Sequence, residues 1–427
     1  MPQVATAERE EFRQVVRAFL TVHAALPAVR RAMPDGYDPS LWRRFADLGV
    51  AGLAVPAELG GAGCGFEEVA VVCEEIGRAI TPAPYLSTAV LAVGALLAAE
   101  DTAAAGRLLP AICAGETSAT VIVGVDTKRL PRPGATGSAE PAGGTPAHPR
   151  GGSPAGAEPA GGTPAHPRGD PSAGAAGGEG LFTGACGKLV ARPGGGALLI
   201  SGSAAPVVDG HVADVLIVLA DSEAGPVCAE VAGTAAGLRR TRLAALDQTR
   251  ELASVEFRDV RAAPIGNPGD GEGVARIAAR VAGLGAAALA AEQAGGAARC
   301  LELATGHARE RVQFGRPIGS FQAVKHRLAD MVVQVESARS AARHAAWAAD
   351  HEPALLRVYA SIAKSYCSEA YLGVAGDCIQ IHGGIGVTWE HPAHLYFKRA
   401  TADAILFGSP VQHRAWLHGA AGLAGFS

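Results

Sequence analysis

From Val274 onward, apolar residues recur at helical spacing over long segments, and this constrains the fold more than any other feature of the chain. One segment runs from Val274 to about Arg311. A second, SFQAVKHRLADMVVQVESARSAARHAAWAAD, puts Phe321, Val324, Leu328, Met331, Val332 and Val335 on one stripe. A third, Pro353 to Ile381, repeats the spacing at Leu356, Tyr359, Ile362, Ala363, Tyr366, Ala370 and Val374, and a shorter helix follows Gly408. Long helices joined by short connections predict an antiparallel bundle over residues 269–427.

The preceding residues carry other patterns. Residues 1–117 read as helices: Asp38 and Pro39 form an N-cap and first-turn pair, and Trp42, Phe45 and Leu48 or Gly49 follow at helical intervals. The turn PAELGGAGCG separates this helix from a second, FEEVAVVCEEIGRAI. Between residues 118 and 268 the signal changes to β-branched runs such as SATVIVGV, DVLIVLA and LASVEFRDVRAAP, which predict a small antiparallel sheet or barrel. Residues 131–180 interrupt that region and are too rich in glycine, proline and alanine to bury a core. AEPAGGTPAHPRG occurs there twice, from 139 and from 157, as a tandem duplication in a tolerated surface loop would leave it. The copied His148 and His166 lack the fixed geometry a metal needs. The chain is thus α+β and multidomain, with an N-terminal helical domain, a central β domain and a C-terminal helical bundle.

With 427 residues, 48% of them hydrophobic, the chain can bury a large core. Its formal charge of −4, from 37 basic and 41 acidic residues mixed along the sequence, gives no footprint for nucleic acid or an anionic bilayer. The first thirty residues lack a signal peptide's apolar core, and no uninterrupted apolar run is long enough to span a bilayer, so a cytoplasmic protein is expected. Eight scattered cysteines show neither C-x-x-C pairs nor zinc spacing and read as reduced, buried small residues.

Two stretches concentrate polar chemistry at predicted helix ends. In RERVQFGRPIGSFQAVKHRLADM a helix ends near Phe314 and Gly315, Pro317 prevents its continuation, and Ser320 is placed to cap the next helix. Arg309, Arg311 and Arg316 crowd this connection with Gln313 and Gln322; guanidinium groups can grip a phosphate bidentately while amides read a heterocycle's edge. In QIHGGIGVTWEHP, Gln380 stands beside Gly383 and Gly384, where the missing Cβ lets backbone N–H groups approach a ligand. A zinc site from His382, His391 and His394 competes, although that spacing matches no metal motif. Spacing alone leaves the glycine pair open between a helix cap and a phosphate cradle.

Together, RVQFGRPIGSFQAVKHRLADM and QIHGGIGVTWEHPAHLYFKRA resemble the C-terminal half of the acyl-CoA dehydrogenase family, and LGVAGLAVPAELGGAG and ELASVEFRDVRAAP extend the resemblance over nearly the whole chain except the repeat loop. The resemblance implies an N-terminal helical domain, a central antiparallel β-barrel domain and a C-terminal four-helix bundle, assembled as a tetramer with FAD between subunits. By the same resemblance Arg311, Gln313, Phe314 and Gln322 match positions that hold the FAD pyrophosphate and adenosine part across a subunit interface. Gln380, Ile381, His382, Gly383 and Gly384 match a second adenosine-diphosphate contact, and Gly408 belongs with the cofactor contacts. It further implies an acyl-CoA substrate and an electron-transferring flavoprotein as acceptor.

The family reaction removes an α-proton from an acyl-CoA thioester while a hydride leaves the β-carbon, and needs a positioned base, usually the glutamate of a Tyr-Glu-Gly-Thr segment. Here that segment is LFGS, with Phe407 in the glutamate's place. An alternative family position, on the long helix that starts the bundle, falls near Gly285 and Ala286, neither a base. Glu292 lies seven residues further, about 10 Å along a helix, and is the remaining candidate. The flavin-covering loop corresponds only loosely to GVDTKRLPRPGATGSAE, and Pro206, Val207 and Val208 replace the Trp-x-Thr contact, so no hydroxyl is offered to flavin N5. The features a subunit lends to its neighbour's FAD are present; those that hold its own flavin ring and do the chemistry are not. This pattern predicts α,β-desaturation of an acyl-CoA performed with a homologous subunit that supplies the glutamate. A self-sufficient homotetrameric enzyme using Glu292, a non-catalytic structural subunit and a repurposed member with non-redox acyl-thioester chemistry compete with it.

Overall fold

A computed structural model of the chain describes residues 7–33, 36–127, 130 and 186–420; the repeat insertion with His148 and His166 lies outside these residues. Helices α1 (Ala7–His23), α2 (Leu26–Ala32), α3 (Pro39–Asp47) and α4 (Phe66–Ala79) come first. A wide π-type turn, Tyr85–Ala92, then runs into α5 (Val93–Ala98), and α6 (Thr102–Cys113) follows. Asp38 caps α3 as expected, its carboxylate accepting from the Ser40 N–H at 2.8 Å, and Leu41, Trp42 and Phe45 form the buried face.

The β domain holds β1 (Ala119–Val123), β2 (Cys186–Pro193), β3 (Leu198–Val208), β4 (Val215–Ala220), β5 (Val227–Ala232), β6 (Leu238–Arg242) and β7 (Leu252–Ile265). They pair in the order β1-β4-β5-β7-β3-β2, with β6 on β7. Long β7 joins both halves of the sheet. The Leu189 N–H donates to the Gly124 carbonyl (3.0 Å) and the Asp221 N–H to the Leu189 carbonyl (2.9 Å), so β2 returns to the ends of β1 and β4 and the sheet curls on itself. The pairing departs from the expected antiparallel pattern where β1 and β4 run parallel, and the bridge of Val190 to Asp221 is parallel too. A parallel pair needs a long crossover, and here the chain passes through the 131–180 insertion, β2 and β3 before β4.

Helices α7 (Gly271–Glu310), α8 (Gln322–His351), α9 (Leu356–His382), α10 (Ala393–Asp403) and α11 (Pro410–Ala420) complete the fold. Among the described residues, α7 is the one helix long and apolar enough to cross a membrane, but 83% of its apolar window is buried because it is the central helix of the bundle. It also carries α4: a Cβ on Gly77 would stand 1.9 Å from the Glu292 carbonyl oxygen, and one on Gly295 1.8 Å from that of Glu74. Only two glycines permit this crossing, which joins the N-terminal helices to the bundle.

Three local expectations change. Helix α7 stops at Glu310 rather than near Phe314, and residues 312–317 form a hairpin, β8 (Val312–Gln313) against β9 (Arg316–Pro317). Phe314 and Gly315, at φ 51° and 75°, make its two-residue turn, a geometry matched to the twist of antiparallel strands. Ser320 does not cap α8; its hydroxyl donates to the Pro317 carbonyl and Phe321 occupies the N-cap position. Finally, the buried stripe of α8 is Met331, Val335, Ala338, Ala342 and Ala345, so Val332 faces outward, as do Ile362 and Tyr366 on α9.

Candidate functional site

The residues expected to hold a cofactor gather at one end of the bundle. The His307 and His382 rings meet at 4.4 Å, joining the C-terminal ends of α7 and α9, and Arg327 of α8 pairs with Asp377 of α9 at 3.2 Å. The β8–β9 hairpin projects from this end. Arg309, Arg311, Gln313 and Gln322 are exposed, and among the described residues neither Arg309 nor Arg311 makes an ion pair. Phe314 is 92% exposed although it holds a left-handed backbone that disfavours any side chain. Its ring meets Phe321 edge-on, with centroids 6.1 Å apart. Arg316 stacks on Phe321 at 4.1 Å.

At the end of α9, Gln380, Gly383 and Gly384 are exposed and Ile381 is half-buried. Gly383 has φ 66°, and a Cβ added at either glycine would meet nothing within 4 Å of this chain. The helix end is therefore a cap with open space beside it rather than a packed crossing. His382 points inward, its Nδ1 2.7 Å from the Cys378 carbonyl, so only its backbone is available to a ligand. His391 stacks on His382 at 4.1 Å and His394 on Trp389 at 4.8 Å. Exposed guanidinium and amide groups and the open backbone at Gly384, set at the same end of the bundle, fit the pyrophosphate and adenosine parts of FAD, while the Gly383 N–H is spent on capping α9; they include no group that could serve its redox ring.

The base position is 2% exposed and apolar. Phe407 adopts φ 56°, and its carbonyl is 2.9 Å from Nε2 of His413. The buried Lys364 Nζ donates to the carbonyls of Asp403 (2.8 Å) and Gly408 (3.2 Å), clamping the turn on both sides of the ring. The ring rests on α7 at Gly285, where a Cβ would stand 2.3 Å from Cε1. The two places expected for a base are thus one place in space, and Phe407 fills it. Gly408 (φ 100°) completes the turn, with its carbonyl committed to Lys364.

Beside this turn lies a charged cluster that periodicity did not reveal. Arg399 of α10 forms an ion pair with Asp247 (Nε to Oδ2, 2.6 Å) and donates to the Thr249 hydroxyl through Nε (3.1 Å), to the Thr249 carbonyl through Nη2 (2.6 Å), and to Glu292. Arg250 donates to the same Glu292 oxygen at 2.7 Å and lies 3.3 Å from Asp403. Glu292 is therefore neither exposed nor free. It is 4% exposed, and two guanidinium groups hold its Oε1. The sequence signal was the pair Arg399 and Asp403, one turn apart among the apolar residues of a short helix.

Tyr85, Asp209, Glu292 and Arg399 line a chamber with only about 20 Å³ open, room for about one water. Val207 and Val208 end β3 beside it as fully packed residues, with the Val208 carbonyl taken by the Thr120 hydroxyl at 2.7 Å. Burial raises the Asp209 carboxyl to about 7, against the hydrogen bond donated by Ser87 at 2.6 Å. A ring-sized ligand needs a pocket of roughly 300 Å³ or more, so this chamber does not fit the redox ring of FAD.

Comparison with known proteins agrees with this architecture. Residues 6–116 match the acyl-CoA dehydrogenase N-terminal domain and residues 271–418 the C-terminal domain. The chain is similar to acyl-CoA dehydrogenase IpdE2 of Mycolicibacterium smegmatis, 33% identical over 94% of this chain and 95% of that protein. It is likewise similar to acyl-CoA dehydrogenase IpdE2 of Mycobacterium tuberculosis, 34% identical over 94% of both. Among solved structures, the Tcur3481-Tcur3483 steroid ACAD G363A variant matches with a TM-score of 0.75 and 26% identity over 99% of this chain and all of that one. Butyryl-CoA dehydrogenase from Megasphaera elsdenii matches with a TM-score of 0.78 at 21% identity, over 99% of this chain and all of that one.

Proposed function

This chain belongs to the acyl-CoA dehydrogenase family, and on that premise we propose that it completes the FAD site of a homologous subunit in an enzyme that desaturates an acyl-CoA thioester between Cα and Cβ. Phe407 on Gly285 carries this reading, because a phenyl ring accepts no proton and leaves no space for a carboxylate or thioester beside it. The Tcur3481-Tcur3483 structure, named for two chains, supports such a pairing.

FAD, when bound, supplies the hydride acceptor for the reaction. Arg311 and Gln322 hold its phosphates and adenosine from the hairpin and the start of α8, and the open backbone at Gly384 meets the same part from the end of α9. Phe314 packs against the partner's surface beside it. The base, the flavin-ring pocket and the thioester site belong to the partner, so one FAD is expected per pair of unlike chains. An electron-transferring flavoprotein takes the electrons.

The test is to express the chain alone and with the dehydrogenase homologue encoded nearest to it, recording flavin absorbance and acyl-CoA-dependent dye reduction. Turnover only in the mixture, with one FAD per pair, is the expected result. Turnover by the isolated chain would refute the reading in favour of a self-sufficient enzyme. Flavin without turnover in the mixture would favour non-redox thioester chemistry, and absence of flavin from both a purely structural subunit.

A further inference from the structure

An open cleft of about 770 Å³ lies where α2, the loop between β6 and β7 and the turn between α9 and α10 meet. Small-molecule sites occupy roughly 300–1,000 Å³, so this cleft, unlike the closed chamber, has room for a ligand. Met33, Leu243 and Ala245 give it apolar surface, while Arg30, Gln248 and Trp389 add a guanidinium, an amide and an indole. The acidic lining groups, Asp247 and Glu251, are buried and already answer Arg399 and Arg242.

The positive charge beside Trp389 is not answered in this way. Arg30 of α2 donates through Nη2 to the Trp389 carbonyl, and Lys398 of α10 holds its Nζ 4.9 Å from the indole centroid. Among the described residues neither cation makes an ion pair, and the adjacent Glu390 is exposed and pairs with neither. Nε of Arg30 and Nε2 of the buried His394, whose ring meets Trp389 edge-on at 4.8 Å, have no hydrogen-bond partner among the described residues. Burial, then Lys398 and Arg30, hold His394 below its ordinary value; burial, the surrounding imidazoles and Arg30 take His391 down to about 4. Two unpaired cations thus flank an indole that is 55% exposed at the edge of a ligand-sized cleft.

We propose that this cleft binds a nucleoside monophosphate, with the base stacked on Trp389 and the phosphate held by Arg30 and Lys398. A phosphate accepts charge-assisted hydrogen bonds from the Arg30 guanidinium and relieves two cations that otherwise face no counter-charge. A flat base covers the exposed indole, and the Gln248 amide is at hand for polar groups on the ligand. A bare inorganic anion would use the cations but not the indole or the apolar surface. An uncharged ring would use the indole and leave the cations unanswered. Neither Arg311, Gln322 nor Gly384, the groups proposed to meet FAD, lines this cleft, so the inference does not rest on that reading.

Isothermal titration calorimetry of the full-length chain with AMP, adenosine and inorganic phosphate tests this. The expected result is saturable binding of AMP at one site, about tenfold or more tighter than either fragment. Trp389→Ala and Arg30→Gln should each weaken AMP about tenfold, with unfolding midpoints in urea that match wild type, and Lys398→Gln repeats the charge test from α10. Arg311→Ala should leave AMP binding unchanged. Weakening by Arg311→Ala with Arg30→Gln silent would put AMP on the surface proposed for FAD and overturn the cleft site while leaving that reading intact. Absence of saturable AMP binding, or phosphate binding as tightly as AMP, overturns the proposal as well.

Discussion

The contact between Phe407 and Gly285 can be tested by a double-mutant cycle on stability. A methyl at Gly285 would lie 2.3, 2.6 and 2.8 Å from Cε1, Cδ1 and Cζ of the Phe407 ring. Ordinary carbon contacts are about 3.5–4.0 Å, so the methyl enters the ring along one edge, and the ring is boxed in by the turn that Lys364 and His413 hold. Gly285→Ala should therefore destabilise by about 1–3 kcal/mol as overpacking, although the same change in an unobstructed helix gains about 1 kcal/mol. Phe407→Ala should cost about 3–5 kcal/mol by opening a cavity. In the double variant the methyl falls into the vacated volume, so the combined loss should be about 2–3 kcal/mol less than the two single losses together. Urea unfolding of the purified chain at fixed protein concentration, followed by tryptophan fluorescence, measures all four corners. If the losses add to within about 0.5 kcal/mol, the ring does not sit on Gly285 and the two base positions are not one site.

The other predictions separate structural from chemical roles. Asp209 has its carboxyl raised to about 7 by burial, so between about pH 4 and 7 the folded chain keeps a proton that the unfolded chain releases, and stability falls as pH rises through that window. Asp209→Asn should match wild type near pH 4 and exceed it by up to roughly 4 kcal/mol above pH 7; a pH-independent difference would refute the assignment. Glu292→Gln leaves Arg250 and Arg399 without their shared carboxylate and should destabilise by about 3–5 kcal/mol, whereas a base role predicts lost turnover at unchanged stability. Arg311→Ala should weaken FAD retention by the two-chain enzyme about tenfold and leave the unfolding midpoint unmoved, as measured by flavin fluorescence and urea titration.

What the sequence revealed depended on whether a signal was local. The Asp38 cap, the three long helical patterns of the bundle and the strand runs are written in neighbouring residues, and each forms the type of element read from it. The α8 stripe was misjudged at Val332 because adjacent apolar residues do not say which face meets the bundle and which meets another surface. The β8–β9 hairpin was hidden because Phe314 is a poor residue for a left-handed turn, and a strained choice is invisible to propensity. The cluster around Arg399 joins residues 247, 249, 250, 292, 399 and 403, and no window along the chain contains them all.

The filled chamber and the missing base are two aspects of one stability problem. A dehydrogenase that holds its own flavin ring keeps a ligand-sized cavity in its core, and the ligand supplies the packing. Left empty, roughly 300 Å³ would cost about 7 kcal/mol at the ~24 cal/mol per Å³ found for engineered cavities, a large part of the 5–15 kcal/mol that keeps a domain folded. A chain that leaves the ring to its partner must close that space with its own atoms. The Arg399 cluster closes it from α10 and the loop before β7, leaving about 20 Å³, while Phe407 on Gly285 and Val207 and Val208 at the end of β3 are packed core positions outside that lining. Restoring the glutamate alone is therefore not expected to restore chemistry. A Phe407→Glu variant puts a carboxylate against Gly285 in a packed, apolar position, where desolvation keeps it protonated while the Arg399 cluster still fills the chamber. Acyl-CoA-dependent dye reduction by that single variant, in the absence of any partner, would show that the chamber opens and that the closed-core argument is wrong.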